Sequence, residues 1–285
     1  MYFIGDESIV KKNEINSRNG IVYRQSNLKS YFTCPKMFNL IQGLSPKESD
    51  SLYSSRNTAM GLLFEGYALG FKIDESSIKG VGKDTKSLLM DAASHLNKKQ
   101  LKDIIGFGDM QLGDFFREGF SYFNQLWDFG DYALSGEADF FHPDFGFFDI
   151  KHTQDLYQSG WLSFASRHER LQCITYPYIR YKGTGERHTF YYIIVETKNS
   201  PPLIKVLHYT PSDDDFEWFE SMLNHIHNDP TFSPKPGEYN DNCLNQMYGK
   251  AKARCKLISR CPHGQSILGG IKSIEFPNHS SRRKW

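Results

Sequence analysis

A short stretch rich in charged residues carries the clearest chemistry in this chain. Residues 135–153 read SGEADFFHPDFGFFDIKHT, in which apolar and polar residues alternate on both sides of the turn formers HPDFG. This alternation predicts two short antiparallel strands joined by a loop. If the loop is centred on Asp144, then Asp139 and Asp149 lie opposite each other, and Lys151 projects from the same face as Asp149.

Two carboxylates and a lysine at this spacing could hydrolyse a phosphodiester with the help of a metal. Carboxylates held a few ångströms apart repel each other unless a cation lies between them, so Asp139 and Asp149 favour a divalent metal. Lys151 could then orient or deprotonate a water, or stabilise charge on a pentacovalent phosphate. A D-x-K tripeptide near an aspartate also arises by chance on solvated surfaces. Apolar neighbours favour the site, because unpaired charges are costly in buried strands: Phe140, Phe141, Phe147, Phe148 and Ile150.

The hairpin resembles two motifs of the PD-(D/E)XK nuclease superfamily. GEAD and FDIK are similar to the second and third motifs of that superfamily. Gln172 and Tyr176 match the Q-x-x-x-Y motif of its RecB-like exonuclease branch, and residues four apart share one face of a helix. The segment AMGLLFEGYAL resembles the helix that carries the first motif of the branch, here Gly61 and Glu65. The resemblance extends over residues 24–264.

This resemblance implies a role for each motif residue. Four groups would bind Mg²⁺ or Mn²⁺: Glu65, Asp139, Asp149 and the backbone carbonyl of Ile150. Lys151 would activate water, while Gln172 and Tyr176 would orient Lys151 or the DNA strand. The chain departs from many relatives at two positions, with His152 in place of Thr and Glu65 in place of His. Neither departure removes a metal-binding or catalytic group.

The cysteines suggest a second metal site. Cys243, Cys255 and Cys261 fall in one polar, basic segment near the C-terminus, and clustered cysteines in a reducing compartment suggest metal. Together with Cys34, which precedes a proline, they resemble the iron–sulfur clasp of AddB-type and CRISPR-associated RecB-like nucleases, which implies a 4Fe-4S cluster. Structural zinc and four unrelated thiols are the alternatives. Cys173 is expected to be an ordinary buried thiol.

Length and composition indicate one elaborated domain. With 285 residues, of which 39% are hydrophobic and 15% aromatic, the chain can bury a sizeable core. No N-terminal signal peptide is visible and no apolar run approaches the ~20 residues that span a bilayer, so we expect a cytoplasmic protein without a membrane anchor. The net charge is +1, so any contact with nucleic acid would be local. The chain has no phosphate-binding Gly-rich loop, which argues against a helicase motor of its own.

The resemblance implies an α/β fold with a restriction-endonuclease-like core, a central mixed β-sheet flanked by helices. Its single domain would comprise a core of about residues 24–232, a clasp of residues 233–264 that pairs with Cys34 through a metal cluster, and a tail of residues 265–285. Beside the hairpin and a helix from Ser26 or Asn27 toward Cys34, the patterns predict further elements. These are helices at 54–69, 84–101, 114–129, 167–181 and 213–226, and strands at 189–196 and 203–209.

The sequence therefore predicts a metal-dependent DNA nuclease, with exonuclease action on DNA ends or single strands favoured by the resemblance. Its pathway would be phage recombination, replication or repair, or CRISPR adaptation, with any helicase or recombination protein as a separate partner. The alternative is a non-catalytic, metal-stabilised nucleic-acid-binding or scaffold protein that retains the nuclease fold. The candidate phosphate contacts are Lys29, Lys36, Arg167, Arg170, Arg180, Lys182, Arg282, Arg283 and Lys284.

Overall fold

The computed structural model describes residues 1–18, 20–33, 38, 56–73, 80–154 and 170–228. Within these ranges the chain forms a seven-stranded mixed β-sheet with helices on both faces, which confirms the predicted α/β class. The strands are β1 (Tyr2–Ile4), β2 (Ile21–Arg24), β3 (Phe120–Asp128), β4 (Tyr132–His142), β5 (Gly146–Thr153), β6 (Phe190–Glu196) and β7 (Leu203–Tyr209). The helices are α1 (Gly5–Ser17), α2 (Gln25–Thr33), α3 (Arg56–Leu69), α4 (Lys83–Asn97), α5 (Lys102–Ile105), α6 (Leu112–Glu118), α7 (Leu171–Thr184) and α8 (Asp213–Asn228).

The sheet is split along one edge of β4. Its strand order is β1-β3-β4-β5-β6-β7, in which β5 and β6 are parallel and the other neighbours are antiparallel. The edge of β4 that faces away from β3 is shared by two strands, with β2 parallel to residues 132–135 and β5 antiparallel to residues 140–142. Among the described strands, none pairs with residues 136–139 on that edge. Backbone and side chains from several elements can therefore meet there.

The predicted hairpin is present. Residues 140–142 of β4 pair with residues 146–148 of β5. Gly146 closes the turn at φ +105°, where a Cβ would lie 2.2 Å from the backbone oxygen of the residue before β6, so that the position admits only glycine. Asp139 and Asp149 come next in the same register, just beyond the last pair. They therefore lie opposite each other, as predicted for a loop centred on Asp144.

Alternate residues of the central strands face two hydrophobic layers. Phe148 and Ile150 of β5 contact the layer formed with α3, α4, α5 and α6. Phe147 of the same strand and Ile194 of β6 contact the opposite layer, to which α7 contributes Cys173. Because both faces are covered, the central strands are apolar almost throughout. Helix α3 and helix α7 thus approach the split in the sheet from opposite sides.

One predicted element is wrong, and one part of the sheet was not predicted. The helix predicted over residues 114–129 is the short α6 followed by β3. Residues 120–128 pair with β4 almost along their whole length, so sheet pairing outweighs the local aromatic pattern. Residues 1–24, for which the patterns predicted no element, supply β1, α1 and β2 of the same sheet. None of the described helices is long and apolar enough to cross a membrane.

Candidate active site

Four charged side chains meet where β4 and β5 separate. The Nζ atom of Lys151 lies 3.3 Å from Oε1 of Glu65 and 3.2 Å from Oδ2 of Asp139. The same Nζ lies 3.0 Å from Oδ2 of Asp149. Glu65 comes from α3, Asp139 from β4, and the other two residues from β5. Helix α3 and the β4–β5 hairpin, which are distant in the sequence, thus converge on one ammonium group.

Asp139 is fixed across the split in the sheet. Its Oδ2 accepts a hydrogen bond of 2.9 Å from the backbone N–H of Ile150. Since β4 does not pair with β5 at this point, the carboxylate supplies the partner that a neighbouring strand would supply. The side chain is held in place while its carboxylate also contacts Lys151.

Asp149 is almost completely buried, with 1% of its surface exposed. Its Oδ1 accepts a hydrogen bond of 2.6 Å from Nε2 of Gln172, and Oε1 of Gln172 accepts one of 2.9 Å from the hydroxyl of Tyr192. Its Oδ2 accepts no hydrogen bond from the described groups, although Nζ of Lys151 lies 3.0 Å away. A buried carboxylate oxygen with an ionic contact alone retains capacity for a cation.

Helix α7 presents the Q-x-x-x-Y residues side by side. Nε2 of Gln172 lies 3.4 Å from the hydroxyl of Tyr176, and that hydroxyl donates to Oε1 of Gln25 at 3.4 Å. The ring of Tyr176 lies directly on Gly136 of β4, where a Cβ would be 2.6 Å from the ring. The glycine of the GEAD segment therefore has a packing reason, since any side chain there would displace Tyr176.

The site holds protons more tightly than isolated carboxylates do. Burial, with the charge of Asp139 adding to it and Lys151 opposing it, raises the pKa of Asp149 to about 8. Burial likewise raises the pKa of Glu65 to about 7, against the effect of Lys151. For Lys151 burial acts to lower the pKa, but the three carboxylates outweigh it and hold the pKa well above its usual value. At neutral pH Lys151 is therefore an ammonium group.

The donor set suits a hard divalent cation. Carboxylate oxygens and backbone carbonyls are the ligands that Mg²⁺ and Mn²⁺ prefer, and Oδ2 of Asp149, which accepts no hydrogen bond from the described groups, belongs to this class. Within the part of the chain that the structure describes, however, no three Asp, Glu, His or Cys side chains form a preformed cation site. The carboxylates converge on Lys151 instead. A divalent cation at these oxygens would have to compete with that ammonium.

The structure brings together all the described residues for which the sequence predicted a role in the nuclease site. They are Glu65, Asp139, Asp149, Ile150, Lys151, Gln172 and Tyr176. The predicted cluster ligands Cys34, Cys243, Cys255 and Cys261 lie outside the described residues, as do the clasp and the tail. Cys173 is fully buried, as expected, and burial raises the pKa of its thiol.

Three residues at the site belong to no predicted motif. Tyr192 orients the amide of Gln172, and Gln25 ends the hydrogen-bond chain from Asp149. Tyr122 has φ +48°, a conformation that bulky residues rarely adopt. Burial raises its pKa to about 12, and the charge of Glu65 adds to this effect. The one signal for Tyr192 is its register opposite Asp149, which becomes known once β5 and β6 are paired.

Several basic residues predicted to contact DNA are engaged within the protein. Arg180 pairs with Glu186 at 2.6 Å and lies over an aromatic ring of β4. Nζ of Lys182 lies 3.4 Å from Oε1 of Glu220. Arg170 donates a hydrogen bond of 2.7 Å to a tyrosine hydroxyl of β7. Each of these contacts would have to be kept or exchanged if the same side chain bound a phosphate.

The chain resembles known proteins only distantly. No family model matches its sequence, and no curated protein matches it. A search of solved structures finds the crystal structure of a protein from Eubacterium rectale that is provisionally assigned as an exonuclease. The two share 16% identity at a TM-score of 0.44, over 81% of this chain and 77% of the other. The function is therefore inferred from the arrangement of this chain's own residues.

Proposed function

We propose that this protein is a metal-dependent DNA nuclease similar to the RecB-like branch of the PD-(D/E)XK superfamily. The observation that carries the proposal is the convergence of Glu65, Asp139 and Asp149 on Lys151 at the split in the sheet. Gln172 supports the arrangement from the opposite face through its bond to Asp149. Residues that match the nuclease motifs in order thus also meet in space, which chance matches in sequence would not require.

The carboxylates of Glu65, Asp139 and Asp149, with the carbonyl of Ile150, would hold Mg²⁺ or Mn²⁺. A divalent cation there would lower the pKa of a bound water and offset negative charge on the phosphate. Two of the three carboxylates are already oriented, Asp149 by Gln172 and Asp139 by the N–H of Ile150. Such second partners fix the direction in which a ligand oxygen points.

Lys151 would act as a fixed positive charge. Without a metal ion its pKa is held well above the usual value by the three carboxylates, so that it carries a proton at neutral pH. An ammonium group beside the phosphate can donate hydrogen bonds to oxygens on which negative charge develops. Of the roles that the sequence suggested for Lys151, stabilising this charge therefore fits the geometry better than deprotonating water.

Three finer parts of the proposal derive from the sequence resemblance. The first is exonuclease action on DNA ends or single strands. The second is a role in phage recombination, replication or repair, or in CRISPR adaptation, alongside a separate helicase or recombination protein. The third is a 4Fe-4S cluster, or zinc in its place, that joins Cys34 to Cys243, Cys255 and Cys261.

The direct test is cleavage of end-labelled single- and double-stranded DNA by anaerobically purified protein, with Mn²⁺ or with a chelator. Wild type should cleave in Mn²⁺ and not in the chelator. Asp149→Ala and Lys151→Ala should lower the rate by about 10²-fold or more, as removal of a charge-stabilising group does. Lys205→Ala is the matched control, because Lys205 is exposed on β7 at the sheet edge. Folded wild-type protein that cleaves neither DNA in Mn²⁺ would contradict the proposal.

One observation favours the non-catalytic alternative. The charges of the site are already partly balanced by Lys151 without a metal ion. A nucleic-acid-binding or scaffold protein could use the same ion network to hold α3 against the sheet. This alternative predicts a folded wild type that binds nucleic acid or a partner and cleaves no DNA in Mn²⁺, whereas the nuclease predicts cleavage that depends on Mn²⁺.

A further inference from the structure

A polar pocket of about 280 Å³ opens beside the carboxylates, where β2 ends and α2 begins. Its lining residues come from α1, β2, α2, β3, β4 and α7. Its lining includes basic, hydroxyl and amide side chains, among them Lys12, Arg24, Gln25, Ser26, Ser135 and Tyr176. Of these six residues, only Tyr176 belongs to a sequence motif of the carboxylate site.

The pocket adjoins the carboxylate site, and none of the carboxylates assigned to metal binding lines it. Arg24 of β2 is paired in register with Ser135 of β4, and Asp139 lies four residues further along β4. At about 3.3 Å per residue, this places the Cα atoms of Ser135 and Asp139 about 13 Å apart along β4. Gln25 and Tyr176 form a wall common to both, since their hydrogen bond continues the chain from Gln172 and Asp149.

The lining is suited to an anion. Arg24 is half-buried, and its guanidinium forms no ion pair or hydrogen bond with a residue that the structure describes. The lining also contains one acidic residue, the exposed Glu137, whose charge Lys12 of the same lining offsets, so the attraction for an anion comes from Arg24. The hydroxyl of Ser26 lies at the same opening. A guanidinium fork beside hydroxyl donors matches the geometry of a phosphate group.

We propose that this pocket binds a phosphate group of the nucleic-acid strand that the carboxylate site cleaves. The inference rests on the proposed nuclease function and adds a second point of attachment to it. The carboxylates that would bind metal do not line the pocket, and Gln25 and Tyr176 lie between the two sites. The captured phosphate would be a neighbour of the scissile one along the strand, and its capture would set which bond reaches Lys151.

The first test measures binding of fluorescein-labelled single-stranded oligonucleotides in a chelator, so that cleavage does not contribute. Arg24→Gln should raise Kd about tenfold and lower the slope of log K against log salt by about one, because one phosphate contact is lost. Lys205→Gln removes the same charge from an exposed position on β7 and should leave both quantities unchanged. Equal binding by wild type and Arg24→Gln would contradict the proposal that the pocket binds a phosphate group.

A second variant separates binding from folding. Ser26 is exposed in the first turn of α2, where an acidic residue favours the helix dipole. Ser26→Asp should therefore keep or raise the melting temperature while it weakens oligonucleotide binding by repelling the phosphate. Unchanged affinity in a folded Ser26→Asp protein would also count against the pocket.

The source of the phosphate is distinguished by oligonucleotides with a 5′-phosphate, a 5′-hydroxyl or a 3′-phosphate. An equal loss of affinity for all three in Arg24→Gln indicates an internal phosphate, and a loss confined to one indicates that terminal phosphate. Either result supports the pocket. If wild type binds oligonucleotides through Arg24 but cleaves nothing in Mn²⁺, the proposed nuclease function is wrong and the proposed phosphate site remains supported. If wild type cleaves DNA with no dependence on Arg24 or Ser26, the proposed phosphate site is wrong.

Discussion

The ammonium group of Lys151 lies 3.0 Å from Oδ2 of Asp149, an oxygen that accepts no hydrogen bond from the described part of the chain. Glu65 and Asp139 contact the same ammonium from α3 and β4. One positive charge is thus shared by three carboxylates in a largely buried place. The metal-free protein depends on Lys151 for this balance, and a divalent cation would supply charge of the same sign to the same oxygens.

Lys151→Met should destabilise the metal-free protein by about 3–5 kcal/mol, because it leaves buried carboxylates without a cation. Mn²⁺ should restore a large part of the loss, since an ion that binds only the folded state stabilises it. Urea denaturation in a chelator and in Mn²⁺ measures both effects. Lys205→Met, at an exposed position, should match wild type in both conditions. An equal response of wild type and Lys151→Met to Mn²⁺ would show that ion and ammonium do not compete.

Gln172→Glu keeps the shape of the side chain and replaces the amide that donates to Asp149 at 2.6 Å with a carboxylate. We expect a loss of about 1–3 kcal/mol in the free energy of unfolding at neutral pH, because Asp149 loses its hydrogen-bond donor and a second acidic group is buried beside it. Gln172→Met removes the donor without adding charge, and should be less harmful. Chemical denaturation of the two variants at pH 7 measures the difference, and equal stability would contradict the role assigned to this amide.

The metal-free protein should lose stability as the pH rises from about 5 to 8. The pKa of Asp149 is raised to about 8 and that of Glu65 to about 7, whereas both are near 4 in the unfolded chain. Between these values the folded state binds more protons than the unfolded state, so the free energy of unfolding falls with rising pH. Asp149→Asn removes the titrating carboxyl group of Asp149 and with it that group's contribution to this pH dependence.

Titrating groups that do not interact with Asp149 cancel when wild type is compared with Asp149→Asn at each pH. The stability of wild type relative to this variant should therefore decline between pH 5 and 8 in a chelator. Urea titrations at four pH values measure the decline. A constant difference across this range would mean that Asp149 ionises in the folded protein as it does in the unfolded chain.

The hairpin could be predicted from the sequence because its causes are local. Alternation on both sides of HPDFG and the glycine at position 146 determine the turn and its register, which places Asp139 opposite Asp149. The spacing of four between Gln172 and Tyr176 likewise determines a shared helix face. These features needed no knowledge of the remaining sheet.

The strand β3 and the partners of the motif residues could not be predicted in this way. Residues 120–128 are aromatic enough to suit a helix or a strand, and their pairing with β4 decides between them. Tyr192 and Gln25 reach the site through strand order and helix packing, which no short pattern contains. The pocket at Arg24 depends on β2 pairing beside β4, and residues 1–24 resemble no motif.

Four of the five cysteines lie outside the described residues. If Cys34 and three C-terminal cysteines bind a 4Fe-4S cluster, protein purified without oxygen should be brown, with a broad band near ~400 nm. Cys261→Ser should bleach the band and lower the melting temperature, because a cluster that joins distant segments closes a very long loop. Cys173→Ser is the control, since Cys173 is fully buried beside Gln172, and it should keep the colour. Colourless protein with one equivalent of zinc would show that the cysteines bind zinc and not an iron–sulfur cluster. Metal-free protein of unchanged stability would contradict the proposed clasp.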